Sequence, residues 1–252
     1  MSDLLNKWID EAKNIIIFTG AGISTESGIP DFRSPGGLWS RMKPIMFQDF
    51  LSSEKTRIES WNRKFDSEND ISFAKPNEGH KAIAKLINTG KASYVITQNI
   101  DNLHQDSGIP EDKIIELHGN SSYAICLECK QRYELKSIKL EFESKPIGSR
   151  VSPTCKKCGG IIKSATISFG QAMPEKEMKD AKTATLSCDL FIAIGSSLKV
   201  YPAASFPIIA RNNGAKLVII NREPTELDQI ANLVINEEIG LTLKSIIQNK
   251  FF

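Results

Sequence analysis

Short, strongly apolar runs recur along the chain, and each gives way abruptly to small or polar residues. Ile15–Phe18 leads into Thr19-Gly20-Ala21-Gly22, and Tyr94-Val95-Ile96 into Thr97-Gln98-Asn99-Ile100-Asp101. Ile114–Leu117 leads into His118-Gly119-Asn120, Leu190–Ile194 into Gly195-Ser196-Ser197, and Leu217–Ile220 into Asn221-Arg222-Glu223. In an open parallel sheet, ligands bind just beyond the carboxyl ends of the strands. Five such clusters predict one composite site, with a nucleotide as its expected occupant.

Helical periodicity fills the intervals. Residues 3–13 carry the stripe Leu4, Leu5, Trp8, Ile9 and Ala12, and residues 78–89 read as a helix ended by Gly90. A helix is expected over 202–213, opening with Pro202 near its first turn, then a last short strand at Val234-Ile235 and a closing helix over 240–250. Alternating strands and helices predict an α/β fold with a Rossmann-like, doubly wound parallel sheet. Two stretches break the rhythm. Residues 34–75 scatter aromatic side chains among charges and read as a helical insert, while residues 120–165 hold four cysteines and a charged middle. The expected division is a nucleotide-binding domain from 1–33, 76–119 and 166–252, with both insertions forming a smaller zinc-ribbon and helical domain.

Composition narrows the classes. The 252 residues are 40% apolar and 25% charged, which suits a globular chain with a real core. Lys plus Arg number 32 against 30 Asp plus Glu, so nothing in the charge balance points to nucleic acid or an acidic membrane. The N-terminus shows no basic region followed by an apolar one, and no apolar run approaches the ~18 residues of a spanning helix. No secretory signal and a cytosolic location are therefore expected. In that compartment, paired cysteines suggest metal or redox chemistry over structural disulfides.

Cys126-Leu-Glu-Cys129 and Cys155-Lys-Lys-Cys158 form two Cys-x-x-Cys pairs separated by residues 130–154. Four thiolates so arranged suit a tetrahedral, structural zinc, each pair forming one knuckle. A redox dithiol and an iron–sulfur cluster are the other readings of the pattern. The fifth cysteine, Cys188, precedes a buried strand and reads as a small core residue.

The loop Gly20-Ala-Gly22-Ile-Ser24-Thr25 has the placement of a phosphate-cradling turn, its backbone N–H groups free to face an anion. It departs from the dinucleotide fingerprint, because Thr25 stands where a third glycine belongs. Near the expected position of an acidic ribose ligand lie Trp39, Ser40, Arg41 and Met42. A conventional hydride-transferring dehydrogenase is disfavoured.

The continuation is more specific. Gly20 through Arg33 reads Gly-Ala-Gly-Ile-Ser-Thr-Glu-Ser-Gly-Ile-Pro-Asp-Phe-Arg, and Gly37-Leu-Trp39 follows. This resembles the signature of the sirtuins, the NAD-dependent protein lysine deacylases. Thr97–His104, Glu116-Leu-His-Gly119, the four cysteines, Phe169-Gly170, Gly195–Ala204 and Ile220-Asn221 match that family in order and spacing.

The resemblance implies NAD as a consumed co-substrate, a structural zinc and an acyl-lysine protein or peptide as partner; the sequence gives no direct evidence for nucleic acid, and no membrane is expected. It places Gly20, Ala21, Gly22 and Glu26 on the pyrophosphate loop, and Asp31, Phe32 and Arg33 on a segment covering the cofactor. Gln98, Asn99 and Asp101 match residues that hold the nicotinamide and its ribose, Asp101 accepting from the carboxamide. Gly195, Ser196, Ser197 and Asn221 fall at the adenosine half, and Phe169, Gly170, Val200 and Tyr201 at the clamp on the substrate peptide.

His118 matches the catalytic base, which would take a proton from a ribose hydroxyl near neutral pH. Position alone leaves His118 open between base and structural residue. His80 reads as a packing residue and His104 as a brace for its loop. Where many relatives carry Glu after Phe-Gly, this chain has Gln171. Trp61 and Lys64 are placed where relatives that remove dicarboxylic acyl groups carry a Tyr-x-x-Arg pair, so neutral acyl groups are expected. An NAD hydrolase or ADP-ribosyltransferase on the same scaffold is the nearest alternative. A non-enzymatic zinc ribbon that binds nucleic acid is a third reading, opposed by Glu128, Glu134, Glu141 and Glu143.

Overall fold

The computed structural model describes residues 2–32, 37, 42–71 and 73–248. Helix α1 (Ser2–Glu11) precedes strand β1 (Ile15–Thr19), and helices α2 (Phe47–Ser52), α3 (Glu54–Ile71) and α4 (Glu78–Asn88) follow. Next come β2 (Ala92–Thr97), the single turn α5 (Leu103–Asp106) and β3 (Ile114–Glu116). The cysteine region supplies β4 (Gly119–Cys126), β5 (Arg132–Glu134), α6 (Leu135–Glu143) and β6 (Ile162–Thr166). The chain closes with α7 (Glu175–Ser187), β7 (Leu190–Ile194), α8 (Ser205–Asn212), β8 (Lys216–Ile220), β9 (Leu233–Ile235) and α9 (Ile239–Gln248).

Six strands form one parallel sheet in the order β3-β2-β1-β7-β8-β9. The order reverses between β1 and β7, the switch point beside which a doubly wound sheet binds its ligand. Apolar runs suit these strands because both faces are covered. Strand alternation sends Ile15 and Ile17 into one core and Ile16 and Phe18 into the other. The first core is closed by Leu5 and Ile9 of α1, Ile83 and Leu86 of α4, and Leu243 of α9. The second is closed by Ala181 and Ala184 of α7 and by Phe206 and Ala210 of α8. Burying a side chain such as Phe18, which is fully enclosed, contributes about 1.5–3 kcal/mol.

The helix expected to open at Pro202 begins three residues later, at Ser205. Residues 201–204 form a turn, with a cis peptide bond between Tyr201 and Pro202. The proline in the helix's first turn is Pro207, where a missing N–H costs no intrahelical bond.

A second, antiparallel sheet of order β5-β4-β6 carries the cysteines. Its core joins Ala124, Leu135, Ile138, Phe142 and Ile162 to Trp61 and Phe65 of α3. Trp61 stacks on Phe65 at 5.4 Å between ring centres, and Phe65 meets Phe142 at 5.8 Å. Polar links reinforce this contact, since Glu54 accepts from the Ser152 N–H at 2.8 Å and Arg150 donates to Asn62 at 2.6 Å. Trp61 therefore does not face the substrate cleft as expected. A large apolar ring with an aromatic neighbour four residues on buries itself in the core. Among the described residues, no helix is long and apolar enough to cross a membrane.

Candidate active site and cysteine cluster

A cavity of about 460 Å³ lies at the carboxyl edge of the large sheet. Its walls bring together Gly20, Ala21, Gly22, Glu26, Asp31, Phe32, Gln98, Asn99, His118, Phe169, Gly170, Gly195, Ser196, Ser197, Val200, Tyr201 and Asn221. Residues from all five polar clusters thus meet in one space. Arg33 lies outside the described residues, as does Trp39.

The glycine loop serves a purpose other than leaving its amides free. Gly20 N–H donates to Ile194 O at 3.0 Å and Gly22 N–H to Gly195 O at 2.7 Å, so two of its donors are already taken. A Cβ on Gly20 would sit 2.8 Å from Gly195 O, and one on Gly22 equally close to Gly195 Cα. The glycines let the ends of β1 and β7 cross in contact. Glu26 is also engaged, accepting from Gly240 N–H at 2.8 Å at the start of α9.

Beneath this loop runs a chain of uncharged hydrogen bonds. Thr19 donates to Thr97 Oγ1 at 2.8 Å, and Thr97 Oγ1 also accepts the Asn99 N–H. Asn99 Nδ2 reaches Gly20 O at 3.1 Å and Ser24 Oγ at 3.3 Å, while Gln98 Nε2 donates to Ser196 Oγ at 2.8 Å. His104 Nε2 lies 2.8 Å from Thr19 Oγ1, which makes this histidine a brace below the loop. His80 packs against it at 5.1 Å between ring centres, and burial holds these imidazoles down at about 4 for His80 and about 3 for His104.

Asp101 lies behind the residues that line the cavity. It is absent from the cavity wall. One carboxylate oxygen accepts from Ser24 Oγ at 2.6 Å and the other from Leu103 N–H at 3.0 Å. Burial raises its pKa, with both bonds opposing the rise. It sits one layer behind Asn99, holding Ser24.

His118 follows β3 by two residues and reaches the cavity wall. Its Nδ1 lies 3.0 Å from Gln98 O; a carbonyl only accepts, so Nδ1 carries the proton and Nε2 is the basic nitrogen. Burial lowers its pKa, and the bond to Gln98 opposes the shift. The imidazole is therefore neutral at pH 7. Gly119 comes next at φ 71°, and a Cβ there would lie 2.0 Å from Ala165 O, so only glycine lets β4 leave the sheet against β6. Glu116 accepts from Gln105 and Asn120 through one oxygen, and burial raises its pKa.

Phe169 and Tyr201 are exposed beside the cavity, so Phe169 is not a packed core residue. Phe169 O accepts the Phe47 N–H at 2.9 Å, which ties this segment to α2. Gln171 turns back to accept the Ser168 N–H at 3.1 Å. Reading the sequence missed Thr166, Ile167 and Ser168 as wall residues, although they too stand at and just after a strand end. Pro44 and Ile45 also line the cavity, and nothing in the pattern of their neighbours marks them.

The four cysteine sulfurs lie within 4.8 Å of one another. Cys126 to Cys158 and Cys129 to Cys155 are each 3.5 Å. A tetrahedron with zinc–sulfur bonds of about 2.3 Å sets sulfurs about 3.8 Å apart, so the cluster fits zinc with every ligand position filled. The Tyr133 hydroxyl lies 3.0 Å from Cys155 Sγ, where it can donate to a thiolate.

A doubly wound sheet with its cavity at the switch point, joined to a four-thiolate module, defines a class of nucleotide-using protein with a structural metal. The description "Sir2 family" matches residues 20–202. The chain belongs to that family. It is 55% identical to "NAD-dependent protein deacetylase 1" of Bradyrhizobium diazoefficiens over 245 residues, covering 97% of this chain and 94% of the relative. It is 47% identical to "NAD-dependent protein deacetylase" of Thermodesulfovibrio yellowstonii, covering 92% and 88%. A solved structure described as "Sir2-p53 peptide-NAD+" superposes with a TM-score of 0.87 at 34% identity, covering 99% of this chain and 98% of that one. A second, Sir2Tm bound to a propionylated peptide, gives 0.84 at 32% identity over 98% and 97%.

Proposed function

We propose that this chain is an NAD-dependent protein lysine deacylase, acting on acetyl-lysine peptides and moving the acyl group to ADP-ribose as nicotinamide is released. One observation carries the reading. His118 stands on the wall of a cavity that joins the glycine-loop side to the exposed Phe169 and Tyr201, and its Nδ1 is tied to a carbonyl.

When bound, NAD supplies the electrophilic ribose carbon and the hydroxyl that receives the acyl group. The residues here suit it: neutral amide and hydroxyl side chains on Gln98, Asn99, Ser196 and Ser197, and Asn221 near the far end. His118 keeps a neutral imidazole and takes a proton at Nε2. Gln98 fixes the tautomer through its carbonyl and is itself held by Ser196. Asp101 holds Ser24, which with Asn99 keeps the loop shaped for the nucleotide. Phe169, Gly170, Val200 and Tyr201 receive the peptide, and Phe32 with Asp31 closes over the cofactor. Among the described residues, the insert contributes Pro44 and Ile45 to the wall, both without charge, which favours neutral acyl groups.

The four cysteines hold a structural zinc that stabilises the small module and takes no part in the chemistry. Residues 1–33, 76–119 and 166–252 form the NAD-binding domain, and 34–75 with 120–165 the smaller one. A cytosolic setting, where thiols stay reduced, suits such a site. An NAD hydrolase or ADP-ribosyltransferase would use the same nucleotide pocket, but it has no need of the exposed aromatic pair at the cavity mouth.

The test is mass spectrometry of an acetyl-lysine peptide incubated with the protein, with and without NAD, beside His118→Ala. Deacetylation that requires NAD and is lost in the variant supports the reading. Nicotinamide release with an unaltered peptide contradicts it.

A further inference from the structure

One buried cation has no role in the chemistry above and, among the described residues, no carboxylate beside it. Lys163 is only 4% exposed. It lies on β6 next to Ile162, whose side chain enters the module's core. Strand alternation turns Lys163 to the opposite face. There its ammonium donates to Thr166 O at 2.5 Å and, more weakly, to Ser164 O at 3.4 Å. It also lies 5.9 Å from the ring centre of Phe50, a fully buried residue of α2. No carboxylate among the described residues pairs with it. Burial lowers its pKa to about 8, which leaves the side chain mostly charged at pH 7.

An unpaired ammonium in such surroundings is costly, and an aliphatic side chain would pack there at less cost. What the charge does is visible in the backbone it touches. Thr166 pairs with Gly119 across the sheet, and Ile167 N–H donates to His118 O at 2.8 Å. Thr166 through Phe169 then form a continuous stretch of cavity wall. The same helix that brings Phe50 to the ammonium brings the Phe47 N–H to Phe169 O. Both ends of the wall segment are thus fixed to α2, one through a cation and ring, the other through a backbone bond.

We infer that Lys163 is a positioning residue for the substrate peptide, its ammonium setting the path of residues 166–169 between His118 and α2. This rests on the deacylase reading. Lys163 is not among the residues that line the cavity. Its loss should weaken peptide binding while the nucleotide side, built on β1, β2 and β7, stays as it is.

The experiment is steady-state kinetics on an acetyl-lysine peptide for the zinc-loaded protein, Lys163→Met and Lys163→Arg, with thermal melts of each. Methionine keeps length and apolar volume but removes the donor. A hydrogen bond from a charged group of ordinary strength predicts a peptide KM raised by about tenfold in Lys163→Met. The KM for NAD and kcat should change by less than about twofold, with Tm unchanged or raised, since a buried unpaired charge has gone. Arginine, which can donate to the same carbonyl, should recover most of the peptide KM. Unchanged peptide KM in Lys163→Met would overturn the inference. So would parallel rises in both KM values with a lowered Tm, the mark of a merely structural residue. No turnover by the unmodified protein would instead overturn the deacylase reading, and this inference with it.

Discussion

The cavity at the strand ends and the four-cysteine module hold their functional groups by opposite means. The cavity is assembled from residues as far apart as Gly20 and Asn221, and its fine structure depends on backbone contacts such as Gly22 against Gly195. The module draws its ligands from two local pairs, and its core is small. The sheet has a two-sided hydrophobic core to keep it folded, whereas the module has a smaller core and a four-cysteine site where an ion would add stability. One region should therefore fail through misplaced geometry and the other through lost metal.

The largest effect should separate the two. Structural zinc contributes apparent binding energies of about 10–16 kcal/mol in zinc-finger peptides, well above what a single side chain supplies. Cys129→Ser, or prolonged chelation, should remove the zinc found by elemental analysis and abolish deacylation. Thermal scans should then show an early transition for the module, with the main transition of the sheet retained. A single unchanged transition with full activity would remove the distinction between the regions.

His118→Ala should do the reverse. Loss of a general base lowers kcat/KM by about 10²–10⁴-fold, with zinc content unchanged and Tm shifted by no more than about 2 °C, because the ring is only partly buried and makes one backbone bond. Activity should also have an acid limb. The pKa of His118 is lowered below 6.5, so its base form is present at neutral pH and is lost as pH falls through that lowered value. A kcat/KM profile flat down to pH 4 would contradict the assignment.

Gly22→Ala sharpens the geometric side. The added Cβ would meet Gly195 Cα at 2.8 Å. Overpacking of this kind costs about 1–3 kcal/mol. The expected result is weaker NAD binding by calorimetry with zinc retained.

The smallest effect near neutral pH comes from His80 and His104. Both are held neutral, at about 4 and about 3, against 6.5 in the unfolded chain. The unfolded state therefore binds more protons below pH 6.5, and stability should fall as pH drops from 6.5 towards 3. His80→Asn combined with His104→Gln should flatten the dependence in chemical denaturation between pH 4 and 7.

Much of this was legible in the sequence, for reasons that differ by region. The five polar clusters could be read because a parallel strand buried on both faces is a continuous apolar run, and its end is abrupt. The cysteine pairs were legible because their ligand spacing is local. Helix α7 left little trace, since it presents mainly Ala181, Ala184 and Thr185 to the core among charged neighbours. The start of α8 was misjudged because Pro202 and Pro207 both suit a first turn, and only the packed structure selects the second. Trp61 was misplaced because an aromatic in a charged helix reads alike whether it faces a substrate or a core. Asp101 was assigned to the ligand by resemblance, and the packed structure adds what the sequence did not show, its bonds to Ser24 and Leu103.

The most direct test is the stoichiometry of a single reaction. An acetyl-lysine peptide, NAD and the zinc-loaded protein should yield free-lysine peptide, nicotinamide and acetylated ADP-ribose in a ratio of about one to one to one, as acyl transfer to ribose by a general base requires. Nicotinamide and ADP-ribose without deacetylated peptide would contradict it, and would reassign the cavity to NAD hydrolysis or ADP-ribosyl transfer.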